Sequence, residues 1–101
     1  MNKDYQIVDF FPNWMFWEYD VSKLSFKEDK KLIIERVLNH STLENLPQNI
    51  AILERLYNKK YITKVAVNSK SIYGNENIEF IALHYNISPK KFYRYINQFY
   101  E

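Results

Sequence analysis

The chain contains no cysteine and a single glycine, Gly74, and each absence removes a class of chemistry. Without cysteine there is no disulfide, no thiolate nucleophile and no cysteine-ligated zinc site. With one glycine, neither a phosphate-cradling loop nor a dinucleotide fingerprint can be built, because both need several positions without a Cβ. Histidine is scarce as well: His40 and His84 are the only two, on separate segments, without an Asp or His partner at metal-ligand spacing. His84, with Phe80 and Leu83 near it, reads as an ordinary helix histidine. The acidic pairs Glu28–Asp29 and Glu18/Asp20 place carboxylates close together, but adjacent exposed charges are normally solvated. Nucleophile, base and oxyanion donors cannot be assembled from this inventory, so a non-enzymatic protein without catalytic, metal or cofactor residues is expected.

Long hydrophobic runs are missing too. None approaches the roughly 18 apolar residues that span a bilayer, and Met1-Asn2-Lys3-Asp4 does not open a signal peptide. A cytoplasmic protein without a membrane partner is the expectation. Three prolines (Pro12, Pro47, Pro89) and one glycine leave few breakpoints, and no repeat or flexible linker divides the chain.

What is present suits one small domain. At 101 residues, with 47% apolar and 26% charged residues, the chain has the composition of a folded domain rather than a disordered segment. Aromatics reach 18%, but Asn, Lys, Ile and Tyr together supply 42 residues, so a lone tyrosine carries little weight. Net charge is +2 and uneven: residues 1–57 hold seven Lys/Arg against nine Asp/Glu, and residues 58–101 hold seven against three. The basic back half suits a polyanion, although four charges also make an ordinary solvated surface.

Apolar periodicity predicts an all-α fold, a compact bundle of about five short helices. Residues 1–24 form an N-terminal aromatic arm, 25–70 the central helices and 75–101 a helix-turn-helix-like pair. In the arm, Tyr5 to Tyr19 is dense in rings; Pro12 fits the start of a short helical turn, and Trp14 and Trp17, three apart, share a face. Two readings stand: the rings pin the arm to the core, or Trp14, Phe16 and Trp17 form a partner-binding patch. Ser25-Phe-Lys-Glu28 reads as a capping box opening a helix over 26–39, in which Phe26, Ile33, Ile34, Val37 and Leu38 recur at helical spacing and which ends near His40. Leu43, Leu46, Ile50, Leu53 and Tyr57 make an apolar stripe, and Pro47 confines its helix to 47–57 after a short turn. Residues 60–70 are ambiguous because β-branched residues suit a strand, but a lone strand has no partner, so helix is preferred.

The stretch Ile78 to Ile96 carries the most information. It predicts a helix over 75–85 ending at Asn86, which tolerates the left-handed cap conformation. Ser88 then caps a second helix, Pro89 takes its first position, and Ile87 packs on Phe92. Ala82 supplies a small residue at the crossing, and Ile81, Tyr85, Ile87, Phe92 and Tyr95 hold the angle. This layout resembles the DNA-binding halves of AraC-type regulators over about 22 residues. It implies nucleic-acid-binding residues Ser88, Lys90, Lys91, Tyr93, Arg94 and Asn97 on the outer side of the second helix, with duplex DNA as partner and Phe92, Ile96 and Phe99 buried. Ordinary helix packing by the same residues is the alternative.

A second resemblance runs through Phe11-Pro-Asn-Trp-Met-Phe-Trp-Glu-Tyr-Asp20, Lys30-Lys-Leu-Ile-Ile-Glu-Arg-Val-Leu38 and Phe80 to Tyr95. These segments resemble a family of small bacterial domains of unknown function, often encoded beside abortive-infection nucleotidyltransferase toxins, which implies an antitoxin-like role. The chain departs from that pattern at Pro47, at Asn68-Ser-Lys-Ser-Ile-Tyr73 and at Phe92-Tyr-Arg-Tyr95. Two functions therefore remain open. One is a regulatory or antitoxin-like protein that contacts DNA through its C-terminal pair. The other is a protein-interaction module, or a phage-borne inhibitor, that blocks a partner enzyme with its aromatic arm.

Overall fold

The computed structural model describes residues 5–72 and 74–95. Its centre is α1 (Lys30–His40), which buries Ile33, Ile34, Val37 and Leu38 against two further helices and the arm. Each such aliphatic side chain contributes about 1.5–3 kcal/mol by leaving water, which is why this stripe fixes the fold. The helix is shorter than the expected 26–39. Ser25 Oγ does accept from the amides of Lys27 and Glu28, at 3.2 and 3.0 Å. The return bond, however, comes from Asp29, whose carboxylate accepts the Ser25 N–H at 2.7 Å. Residues 26–29 are consequently a turn, and the regular helix begins one residue after Asp29.

α2 (Leu46–Leu56) follows a turn in which the Thr42 carbonyl accepts from Asn45 and Leu46, at 3.0 and 2.9 Å. Pro47 sits in the first turn, where its missing N–H leaves nothing unpaired. Leu46, Ile50 and Leu53 are buried, while Leu43, the first residue of the expected stripe, is exposed. α3 (Lys59–Asn68) opens on Asn58, whose side chain accepts from Tyr61 N at 3.1 Å. Its β-branched residues favour a strand locally, yet Ile62, Val65 and Ala66 pack as a helical stripe on α1 and α2. That packing outweighs their intrinsic preference, and no strand forms among the described residues.

α4 (Asn75–Tyr85) has the expected bounds. Asn86 closes it in the left-handed region, at φ 58° and ψ 49°, while Ile87 N–H bonds the Ala82 carbonyl at 2.8 Å. Ser88 then caps as expected, accepting from Lys90 N at 3.3 Å. The second helix does not follow. Residues Pro89–Lys91 make one 3-10 turn and Phe92 is extended, at φ −80° and ψ 135°. The described bundle therefore has four α-helices rather than five, and 88–95 are not a recognition helix. Ile96, Asn97 and Phe99, assigned to that helix from sequence, lie outside the described residues.

A tertiary competitor explains the difference. Phe92 is buried, Tyr93 N–H donates to the Val67 carbonyl at 2.9 Å, and Arg94 Nε donates to the Lys70 carbonyl at 2.8 Å. A helix leaves its last carbonyls without internal partners; Tyr93 N–H satisfies one of these, the Val67 carbonyl of α3, while Arg94 holds the Lys70 carbonyl two residues beyond the helix. The same device recurs at α1, where Asn77 Nδ2, reaching over from α4, donates to the carbonyls of Leu38 and Ser41 at 2.8 and 3.0 Å. No helix among the described residues is long and apolar enough to cross a membrane.

Candidate protein-interaction site

The arm is a chain of short turns, Ile7–Asp9, Asn13–Phe16 and Val21–Lys23, because its ring-rich sequence lacks a continuous helical stripe. Its anchors are Ile7, Phe11, Met15 and Phe16, all buried. Pro12 does not take the first position of the second turn but caps it, in extended conformation at ψ 145°. In a 3-10 turn, side chains three apart eclipse. Sinking Met15 and Phe16 therefore turns Trp14 and Trp17 outward on a common side. They keep 54% and 61% of their surface in water, and Tyr19 keeps 43%. Of the three residues assigned to a partner patch, Trp14 and Trp17 are thus presented to solvent, whereas Phe16 has no exposed surface and belongs to the core.

Arg36 of α1 organises the outer ring. It pairs with Glu18, and its guanidinium lies 4.8 Å from the centroid of Trp17 and 5.2 Å from that of Tyr19. Such cation–π contacts are worth about 0.5–1 kcal/mol at exposed sites. His40 meets Trp17 edge to face at 5.0 Å. Burial and the neighbouring Arg36 charge lower the His40 pKa, against a smaller opposing effect of Glu18. Its ring is consequently held toward the neutral form that packs well on an indole. Trp17, Tyr19, Arg36, His40 and Ser71 are among the residues that line one depression. The acidic pairs singled out from sequence do not converge. Glu18 is committed to Arg36, Asp20 caps Ser22 at 3.1 Å, and Asp29 holds the Ser25 amide.

Of the residues assigned to DNA, Ser88, Lys90, Lys91, Tyr93 and Arg94 are exposed but differently arranged. Ser88, Lys90 and Lys91 belong to the capped turn, and Tyr93 lies beside Lys70, whose ammonium stands 5.5 Å from its ring. Arg94 is bonded to the Lys70 carbonyl, and Asn97 lies outside the described residues.

One cluster was invisible in the sequence. Glu54 of α2 accepts from Tyr85 Oη at 2.6 Å and meets His84 Nε2 at 3.1 Å, with Phe80 stacked on the imidazole. Burial would raise the Glu54 pKa, but the bonds from Tyr85 and His84, with the His84 and Lys59 charges, outweigh it and lower the value. Burial and the adjacent carboxylate hold the Tyr85 phenol far above its ordinary pKa. The cluster clamps α4 to α2. Its members lie about 30 residues apart, beyond the reach of any helical spacing. Among the described residues, no group of three His, Asp or Glu could hold a metal ion.

Neither a curated protein nor a solved structure matches the chain. The model of a family of unknown function, DUF6922, matches residues 11–66, from the buried Phe11 of the arm through α1 and α2 to Ala66 of α3. That span leaves out α4 and the capped turn behind it, and it covers more than half the chain. On that match, the protein belongs to the DUF6922 family.

Proposed function

We propose that this domain is a non-enzymatic protein-binding module that docks a partner protein through Trp14, Trp17 and Tyr19, with Arg36 among them. One observation carries the reading: both indoles are more than half exposed although Met15 and Phe16, between them, are fully packed. The arm is thereby fixed to the body with its largest rings outward. Tryptophan, tyrosine and arginine are the residue types that dominate binding hot spots. Here Arg36 and His40 already restrain Trp17, so docking sacrifices little side-chain freedom. The partner class we infer is the toxin enzyme that the family resemblance implies, which makes the role antitoxin-like.

Duplex DNA is not proposed as the ligand of residues 88–94. Major-groove reading needs a helix to enter the groove, and this segment offers a three-residue turn with Arg94 drawn onto the Lys70 carbonyl.

The test is the double substitution W14A/W17A in the full chain. Partners are identified by pull-down mass spectrometry, and the binding of each purified partner is then titrated calorimetrically. The variant should keep its helical circular dichroism and lose at least about 30-fold in affinity, the equivalent of one hot spot of about 2 kcal/mol. Unchanged affinity, or loss of the fold, refutes the assignment.

A further inference from the structure

A second surface lies where the start of α1 meets the start of α3, lined by none of Trp14, Trp17 and Tyr19. Lys30, Lys60 and Lys64 line a groove there, with Tyr57 and Tyr61 as its walls. Lys60 and Lys64 are one turn apart on α3 and so project side by side, and the Lys30 ammonium stands 4.5 Å from the Tyr61 ring centroid. Among the described residues, no carboxylate lines the groove. The nearby Asp29 is engaged by the Ser25 amide at 2.7 Å. No ion pair neutralises the three lysines among the described residues. Tyr57 spends its hydroxyl on the Phe26 carbonyl at 2.7 Å, leaving its ring to the groove wall. Like charges gathered in a concave site repel one another and are relieved by an anionic ligand.

We propose that this groove binds the phosphate backbone of single-stranded nucleic acid. Lysine ammonium groups are compact point charges that pair with phosphates without a fixed approach geometry, and it is the tyrosine walls rather than the charges that favour a nucleic acid over an acidic polypeptide. Tyrosine walls beside a row of positive charge are the elements of sequence-tolerant single-strand binding, in which bases lie on rings while cations follow the backbone. Lys60 and Lys64 belong to the basic half of the chain, which thereby acquires a role that does not need a recognition helix. Nothing in it depends on the aromatic arm or on the partner proposed for that arm.

Fluorescence anisotropy of a labelled twelve-nucleotide oligothymidylate, titrated with the full chain from about 50 to 300 mM salt, tests the proposal. Three phosphate contacts give a slope of log affinity against log salt near −2, from about −0.7 per contact on single strands. K60Q and K64Q should each flatten that slope by about 0.7, and the triple variant with K30Q should abolish binding. All three lysines are exposed, so circular dichroism should be unchanged in every variant. Absence of binding at 50 mM salt overturns the proposal, as does a slope that the variants leave unaltered. Displacement by polyglutamate as effective, at equal charge, as by unlabelled oligonucleotide would assign the groove to an acidic polypeptide instead and also overturns it.

Discussion

Replacing Asn77 should destabilise the domain well beyond what its size suggests. Its amide reaches from α4 to the end of α1, and its two hydrogens serve the carbonyls of Leu38 and Ser41 at 2.8 and 3.0 Å. The contact to the Asn39 carbonyl, at 3.5 Å, is too long to add much. In N77A both carbonyls lose a partner in a half-buried site. At about 0.5–1.5 kcal/mol per bond, the loss is about 1–3 kcal/mol. For a domain of this size that lowers the melting temperature by about 4–8 °C per kcal/mol. In urea, with a slope of about 2 kcal/mol per molar, the midpoint should fall by about 0.5–1.5 M without a change of slope. N77D keeps the shape but can only accept when ionised, so at neutral pH it sets a charge against two carbonyl oxygens and should be less stable than N77A. Urea melts followed by circular dichroism decide the order. An N77A loss below about 0.5 kcal/mol, or N77D as stable as wild type, would refute the bridging role assigned to this side chain.

Three further outcomes follow from the same structure. F16A should cost about 3–5 kcal/mol by opening the arm's anchor, while W14A alone stays near wild type; chemical denaturation of both separates anchor from surface. At Asn86, held at φ 58°, Asn86→Ala should lose about 1 kcal/mol and Asn86→Gly nothing, because only glycine adopts this conformation without strain; thermal melts read the difference. Because the Glu54 pKa is lowered below its ordinary 4.5, the carboxylate's stabilisation is present above that value and lost as pH falls through the folded-state value. The stability gap between wild type and E54Q, measured by urea melts across pH, should accordingly shrink as pH drops below 4.5, and a gap independent of pH contradicts the clamp.

Local signals carried much of the fold. The stripe Ile33, Ile34, Val37 and Leu38 specified α1, Pro47 set the start of α2 to within one residue, and Asn86 gave the end of α4. Each signal depends on neighbours within about one helical turn, where spacing and backbone preference are sufficient. Three features escaped because their partners are far away in sequence. The Glu54–His84–Tyr85 clamp, the Asn77 bridge and the capping of α3 by residues 92–94 each join segments more than 20 residues apart. The last of these also misled: Ser88-Pro89 is a sound helix start, yet the chain beyond it bonds the Val67 carbonyl of α3 and the Lys70 carbonyl behind it instead of continuing as a helix.

The aromatic arm divides along the same line. Its sequence alone determined that Trp14 and Trp17 share a face and that the segment is rich enough in rings either to anchor or to bind. It could not say which rings do which, because both faces of a short turn are apolar here and periodicity has nothing to distinguish them. Only the packing of Phe11, Met15 and Phe16 onto the body decided that the tryptophans face solvent. Arg36, some 20 residues further on, then fixed Trp17 beside Tyr19. A buried position exists only once another element covers it, and that information belongs to the tertiary structure.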